Sequence, residues 1–263
     1  MPGEFGKLER LYSRGRFGKD VNMEERTIFH VHTYRCQHAG QEREQEYAKK
    51  AIQLGATKLI FTDHAPFPEN PFRFRMSMNE LSEYIMVLQN LKEKYAEVLE
   101  IKIGLEVEFV PIYMECYHRL LEQWNVDILL LGQHFALLPD GRYTFEMGEK
   151  NLEARALAEG MIAGMETGLF QAAAHPDQIF RRMKKWNEEM EAISKEIKEC
   201  AISTGIILEQ NISNILKKKS RVYRKEFWEE LPNEIRTIYG VDAHSVAEME
   251  KNYRIQQKLM QNL

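Results

Sequence analysis

From Thr27 onward, short apolar runs alternate with longer amphipathic segments. The runs are TIFHV (27–31), KLIFT (58–62), IKIGLEVEF (101–109), DILLLG (127–132), FQAAA (170–174), GIILEQ (205–210) and RTIYGVD (236–242). They are rich in Ile, Val, Leu and Phe and show little strict alternation, the pattern of strands buried on both faces of a parallel sheet. Helical spacing between them predicts helices over residues 41–54, 79–98, 114–124, 151–167, 185–204, 221–231 and 246–260. Ser77 and Asn79 are candidate caps for the second helix. Gly55, Gly168 and Gly205 stand where helix C-termini should end. About seven βα units in succession predict an α/β fold with a closed or nearly closed parallel barrel. Residues 65–76 (APFPENPFRFRM) are too rich in proline for either element and read as a long loop over one face. No internal linker or repeat interrupts the pattern, so residues 27–263 are expected to form one domain. Residues 1–26, Gly- and Arg-rich and without periodicity, read as an N-terminal extension that is flexible or loosely docked.

Composition narrows the partners. A chain of 263 residues with 44% hydrophobic content can bury one substantial core. The formal net charge of −4 gives no reason to expect nucleic acid or an anionic membrane surface. Three scattered cysteines, Cys36, Cys116 and Cys200, form no CxxC pair, which argues against a disulfide framework and for a reducing compartment. No apolar run reaches the ~18 residues of a membrane span, and the first residues lack a secretory h-region, so the cytoplasm is the expected location.

The histidines change the picture most. His30 and His32 end the first run, and His38 follows in the next loop. His64 ends the second, Glu106 and Glu108 close the third, His134 follows the fourth, His175 follows the fifth, and Asp242 and His244 end the seventh. Only His118 falls inside a predicted helix. The C-terminal ends of parallel barrel strands converge on one mouth, where barrel enzymes place their sites. Any one buried histidine is ordinarily explained by a core hydrogen bond. Seven at strand ends are not, because so many imidazoles are hard to desolvate and satisfy together. Imidazole with carboxylate suits Zn, Fe or Mn, and the number of donors exceeds one ion's needs, so two or three ions are expected. Simpler roles are expected elsewhere. Cys36 reads as a small buried side chain in a turn, although it stands between His32 and His38. Cys116, Cys200 and His118 read as packing or surface residues, and residues 217–219 as a solvated lysine run. Trp124, Trp186 and Trp228 read as core or sheet-covering side chains of helices. Asp63 is open between orienting an imidazole and an ordinary cap or turn.

The blocks HVHTYRCQH, FTDHAPFP, GLEVEF, GQHF, AHPD and VDAH, in this order, resemble the PHP (polymerase and histidinol phosphatase) family. The FTDHAPFP block and the loop after it are most similar to the monofunctional histidinol-phosphate phosphatases. The resemblance implies a distorted TIM-like (β/α)7 barrel with a trinuclear site. On the matching positions, His30, His32, Glu106 and Asp242 would hold the first ion, and His38, His64 and His244 the second. His134 and His175 would hold the third, with Glu106 bridging to the first. VDAH departs from a more usual small-residue lead-in, and LEQNIS only approximates the family's Glu-x-Asn block.

The chemistry expected of such a cluster is attack on phosphorus by a metal-activated water, with Glu106 and Asp242 as the catalytic carboxylates. Arg142 and Arg181 each follow a histidine by one loop and are candidates to fork onto the phosphate. The implied substrate is L-histidinol phosphate, a small phosphomonoester. Another phosphoester, of a tyrosine-phosphorylated protein or a nucleotide, is the second reading, and a metal-stabilised binding module without activity the third.

Overall fold

The computed structural model describes residues 26–146, 150–217 and 221–261. The expected N-terminal extension, apart from Arg26, lies outside these residues, as do Lys218 and Lys219 of the lysine run. Seven strands form one sheet: β1 Thr27–Val31, β2 Lys58–His64, β3 Glu100–Val107, β4 Ile128–Leu131, β5 Ala172–Ala173, β6 Ile207–Asn211 and β7 Thr237–Gly240. They lie side by side in chain order, all parallel. Past the end of β7 the chain returns to β1, with Val241 N donating to Phe29 O at 2.8 Å and His32 N to Ala243 O at 2.9 Å. The sheet is thereby drawn into the expected single-domain (β/α)7 barrel.

The outer layer is helical. Its members are α1 Glu44–Gln53, α2 Leu81–Lys94, α3 Met114–Glu122, α4 Lys150–Glu166, α5 Glu188–Thr204, α6 Ile212–Leu216, α7 Lys225–Trp228 and α8 Val246–Gln261. Helix α2 is preceded by a 3-10 turn, where Ser77 N donates to Glu80 Oε2 at 2.8 Å, the reciprocal arm of a capping box. Helix α5 starts at Asn187, whose Oδ1 accepts from Met190 N at 3.0 Å, and ends at Gly205 in the left-handed region.

One expected helix differs. Residues 221–231 hold only the single turn α7, because only Phe227 and Trp228 of that turn face the core and no apolar stripe continues past it. Instead α6 follows β6 directly, started by Asn211, whose Oδ1 accepts from Asn214 N at 2.9 Å. Of the three tryptophans, only Trp228 lies within a helix, while Trp124 and Trp186 pack partly buried beside helix ends.

Strand alternation sorts the core into two layers. Ile28, Leu59, Phe61, Leu129, Leu131 and Leu208 face the helices. Phe29, Ile60, Ile128, Leu130, Ala172, Ala174, Ile207 and Ile238 form a separate cluster inside the barrel. That apolar plug fills the barrel below its C-terminal mouth, so the polar side chains at the strand ends have an apolar floor. Replacing fully buried Leu130 with Ala should destabilise the protein by about 2–5 kcal/mol, read from the midpoint of urea unfolding. A shift near zero would mean that the plug does not support the fold.

Candidate metal centre

On β1 the alternation breaks at the site. Phe29 pairs with Ile60 and Val31 with Phe61, so His30 is an extra residue in the ladder, with φ of 70°. The bulge lets Phe29 fill the floor while the next residue, His30, and then His32 both reach the mouth. His175 (φ 30°) and Asp242 (φ 42°) also adopt the left-handed region. Such conformations are costly for side chains other than glycine and persist only where the surroundings over-determine them.

The seven strand-end histidines converge. Ring centroids lie 4.4 Å apart for His32 and His244, 4.5 Å for His38 and His244, 4.6 Å for His32 and His64, and 4.9 Å for His134 and His175. His30 links the two halves, 5.0 Å from His32 and 5.8 Å from His175. His118 is separate, an exposed side chain of α3 beside Glu122.

Glu106 occupies the centre and is 1% exposed. Its Oε2 lies 3.4 Å from His30 Nε2, 3.3 Å from His32 Nε2 and 3.3 Å from His64 Nδ1. Its Oε1 lies 3.0 Å from His175 Nε2 and 3.7 Å from His134 Nε2. One carboxylate thus faces two sets of imidazoles with its two oxygens. Gly132 makes this possible, because a Cβ there would stand 2.1 Å from Glu106 Oε1. Asp242 Oδ1 faces His32 Nε2 at 3.6 Å, His244 Nδ1 at 3.6 Å and His30 Nε2 at 3.8 Å. The sets His30–His32–Asp242, His32–His64–His244 and His30–Glu106–His175 each bring ligand atoms within 4.8 Å of one another, the spread of an ion's donors.

Three features were in view in the sequence but were assigned no contact there. Glu209, fully buried on β6, accepts from His30 Nδ1 at 2.5 Å and from His175 N at 3.0 Å. Gly240 leaves it room, since a Cβ there would overlap its carboxylate. Asn211 donates from Nδ2 to both Glu209 Oε2 (3.2 Å) and Asp242 Oδ2 (3.0 Å). Glu108 lies 3.1 Å from His134 Nδ1 and is gripped by both terminal nitrogens of buried Arg75, at 2.8 and 3.0 Å. These contacts turn His30 and His134 so that Nε2 points to Glu106. The charged residue in the otherwise apolar run IILEQN was a usable signal for Glu209. Nothing in the loop marked Arg75.

Other expectations resolve locally. Asp63 accepts from Thr33 N at 2.8 Å and so serves the turn, and its carboxylate also lies within 4.8 Å of donor atoms of His32 and Cys36. Burial pushes its carboxyl up to about 7. Cys36 is fully buried in the turn Tyr34–Cys36, and its sulfur is also within 4.8 Å of donor atoms of His38 and His244. Arg181 lines the cavity over the centre, held by His134 O and Glu153 Oε1 at 3.2 Å each. Arg142 does not; it is exposed and forks onto Asp140 at 2.9 and 2.7 Å. That cavity measures about 330 Å³ and carries Arg73, Arg75 and Lys217 on its wall.

Electrostatics divide the imidazoles. Burial would lower His30, but the Glu209, Glu106 and Asp242 carboxylates overcome it and hold the ring well above its ordinary value. Burial likewise opposes His175, which Glu106 raises. Burial lowers His32, His38 and His64, and pushes His244 down to about 4. Burial alone would raise Glu106 and Asp242, but surrounding imidazolium charge holds both well below the usual carboxylate range. Buried His64 Nδ1 and His244 Nε2 have no hydrogen-bond partner among the described residues. Neutral imidazoles with orphaned nitrogens beside ionised carboxylates are a donor set that fits metal cations.

The PHP domain family matches residues 29–213. A Deinococcus radiodurans protein named "Probable histidinol-phosphatase" is 32% identical over 158 residues, 56% of this chain and 59% of its own length. The histidinol-phosphatase of Bacillus subtilis is 30% identical over 122 residues, 43% of this chain and 45% of its own. The chain therefore matches less than two thirds of either curated relative. Two crystal structures share the fold. One from Listeria monocytogenes has a TM-score of 0.72 at 22% identity, covering 87% of this chain and 99% of that one. The Lactococcus lactis histidinol phosphate phosphatase, complexed with zinc, L-histidinol and phosphate, has a TM-score of 0.67 at 17% identity, covering 89% and 94%.

A pH prediction follows from the lowered imidazoles. An unfolded histidine takes its proton near 6.5, whereas folded His244 does so only near 4. Acid therefore favours the unfolded chain between those values, and His32, His38 and His64 act in the same sense against the opposite pull of His30 and His175. The melting temperature of chelator-treated protein should fall as pH drops from about 6.5 to 4, and His244→Asn should flatten that slope. A slope unchanged in His244→Asn would refute the assignment of His244 as buried and neutral.

Proposed function

This chain belongs to the PHP domain family, and from that premise we propose that it is a metal-dependent phosphomonoesterase acting on L-histidinol phosphate. The observation that carries the proposal is Glu106, whose two oxygens divide five imidazoles between them. His30, His32, Glu106 and Asp242 would hold a first ion, His38, His64 and His244 a second, and His134, His175 and Glu106 a third. The split of imidazoles between Oε2 and Oε1 supports a role for Glu106 in both sets. Imidazole and carboxylate donors favour Zn, Fe or Mn, in two or three copies. Bound there, such ions lower the pKa of a water beside phosphorus and neutralise charge on the phosphoryl oxygens.

The chain's own groups do the rest. Glu209 and Glu108 fix the tautomers of His30 and His134, and Cys36 O, 2.9 Å from His38 Nδ1, turns the other nitrogen of that ring to the centre. Arg181 sits on the cavity wall where it can pair with a phosphate dianion. Asn211 occupies Asp242 Oδ2, which leaves Oδ1, facing His30, His32 and His244, as the atom that would ligate an ion. The substrate assignment rests on the curated relatives, both histidinol-phosphatases by name. Three free cysteines fit the cytoplasm, and no described helix is long and apolar enough to cross a membrane.

A second reading keeps the chemistry and changes the ester. Among the described residues, the carboxylates on the cavity wall (Glu106, Glu108 and Asp242) are already engaged, so none of them is free to pair with the cation of histidinol phosphate. Phosphate release should be measured from L-histidinol phosphate, p-nitrophenyl phosphate, a phosphotyrosine peptide and AMP, with enzyme supplied with Zn, Mn or Fe. The proposal expects metal-dependent release with kcat/KM highest for L-histidinol phosphate. Preference for another ester would discard that substrate, and no release from any would discard the phosphoesterase.

A further inference from the structure

The loop between β2 and α2 carries Phe72, Arg73, Phe74 and Arg75 in a row, and the last three line the cavity. Phe72 is buried, stacked on Phe135 with centroids 5.3 Å apart and planes 9° apart. Arg75 is buried in its grip on Glu108, its Nη1 also donates to Ala65 O at 3.1 Å, and its own carbonyl accepts from Gln37 Nε2 at 2.7 Å. The chain is therefore anchored on both sides of Phe74. Phe74 itself has φ of 60° and is 57% exposed, yet it lines the cavity, its ring edge-on to His38 at 5.7 Å.

A bulky residue in the left-handed region and a large apolar side chain left half in water are two independent costs at one position. Neither is required by the core, which Phe72 already serves. Both are explained by a ligand that covers the ring. Phosphate is drawn to the metal-ligand side and to Arg181, so the part of a substrate that reaches Phe74 at the mouth is the alcohol. With no free carboxylate on the described wall, an aromatic surface is the feature left to recognise it.

We propose that Phe74 determines specificity by packing against a planar ring on the alcohol half of the phosphoester. This rests on the phosphoesterase reading above and deepens it: the site selects esters whose leaving alcohol carries an imidazole or aryl ring. Aromatic pairs contribute about 0.5–1.5 kcal/mol beyond simple burial, a factor of roughly 2 to 12.

The test compares kcat/KM for two ring-bearing esters, L-histidinol phosphate and p-nitrophenyl phosphate, with that for glycerol 3-phosphate, in the wild type, Phe74→Leu and Phe74→Tyr. Leu keeps apolar bulk at the strained position without a ring, and Tyr keeps the ring. Metal content is measured alongside, because Phe74 touches His38. The ratio of ring-bearing to glycerol ester should fall roughly 2- to 12-fold in Phe74→Leu, chiefly through KM, and return in Phe74→Tyr. A ratio unchanged in Phe74→Leu, or lowered equally in both variants, overturns the proposal while leaving the phosphoesterase standing. A wild type that releases phosphate from none of these esters, nor from a phosphotyrosine peptide or AMP, removes the phosphoesterase reading and this selection with it.

Discussion

A carboxylate buried at the centre of seven imidazoles is the constraint around which the rest of this molecule is arranged. Glu106 is almost fully removed from water and still ionised. A buried charge is tolerated only when opposite charge and hydrogen bonds replace its hydration. Here five strands and the segments beyond them supply that replacement, each from its C-terminal end. The electrostatics are consistent across the centre: where carboxylates crowd, at His30 and His175, the imidazoles gain a proton. Where imidazoles crowd, at His32, His38, His64 and His244, they stay neutral. A centre with these properties wants positive charge, and protons or metal ions are the two ways to provide it.

The backbone bends to serve this demand. His30, His175 and Asp242 all take left-handed conformations, and each is a residue that the centre uses. The bulge at His30 hands a side chain to the mouth one residue sooner than a regular strand allows, while Phe29 still closes the floor. Gly132 and Gly240 give the complementary service by omitting a Cβ where Glu106 and Glu209 must lie. Strain and missing side chains at strand ends are compensated by the apolar plug beneath and the helical layer outside. The same logic extends to the mouth, where two buried anchors hold Phe74 in a conformation it would not choose alone.

Much of this was legible in the chain. The apolar runs located all seven strands, because strands buried on both faces need continuous Ile, Val and Leu. Histidine positions at the ends of those runs converged as barrel geometry requires. What alternation could not show was its own interruption: a bulge at His30 leaves no mark in the residue types. The single turn α7 was overread from a stretch whose residues pack too little for a longer helix, and α6 was missed because it is short and starts from a strand-end asparagine that also serves the site. Arg75 was unreadable for a different reason. Its partner Glu108 is distant in sequence, and a loop arginine ordinarily points to water. Arg142 shows the converse, since a position one loop after His134 was no guide to where its side chain turns.

The central claim is that Glu106 joins the two halves of one metal cluster. It is tested most directly by counting ions per chain, by plasma mass spectrometry, in wild-type protein and in Glu106→Ala, with circular dichroism confirming that both are folded. The account predicts two or three ions in the wild type and the loss of more than one with this single side chain. A folded Glu106→Ala protein that keeps its full complement of ions would contradict it.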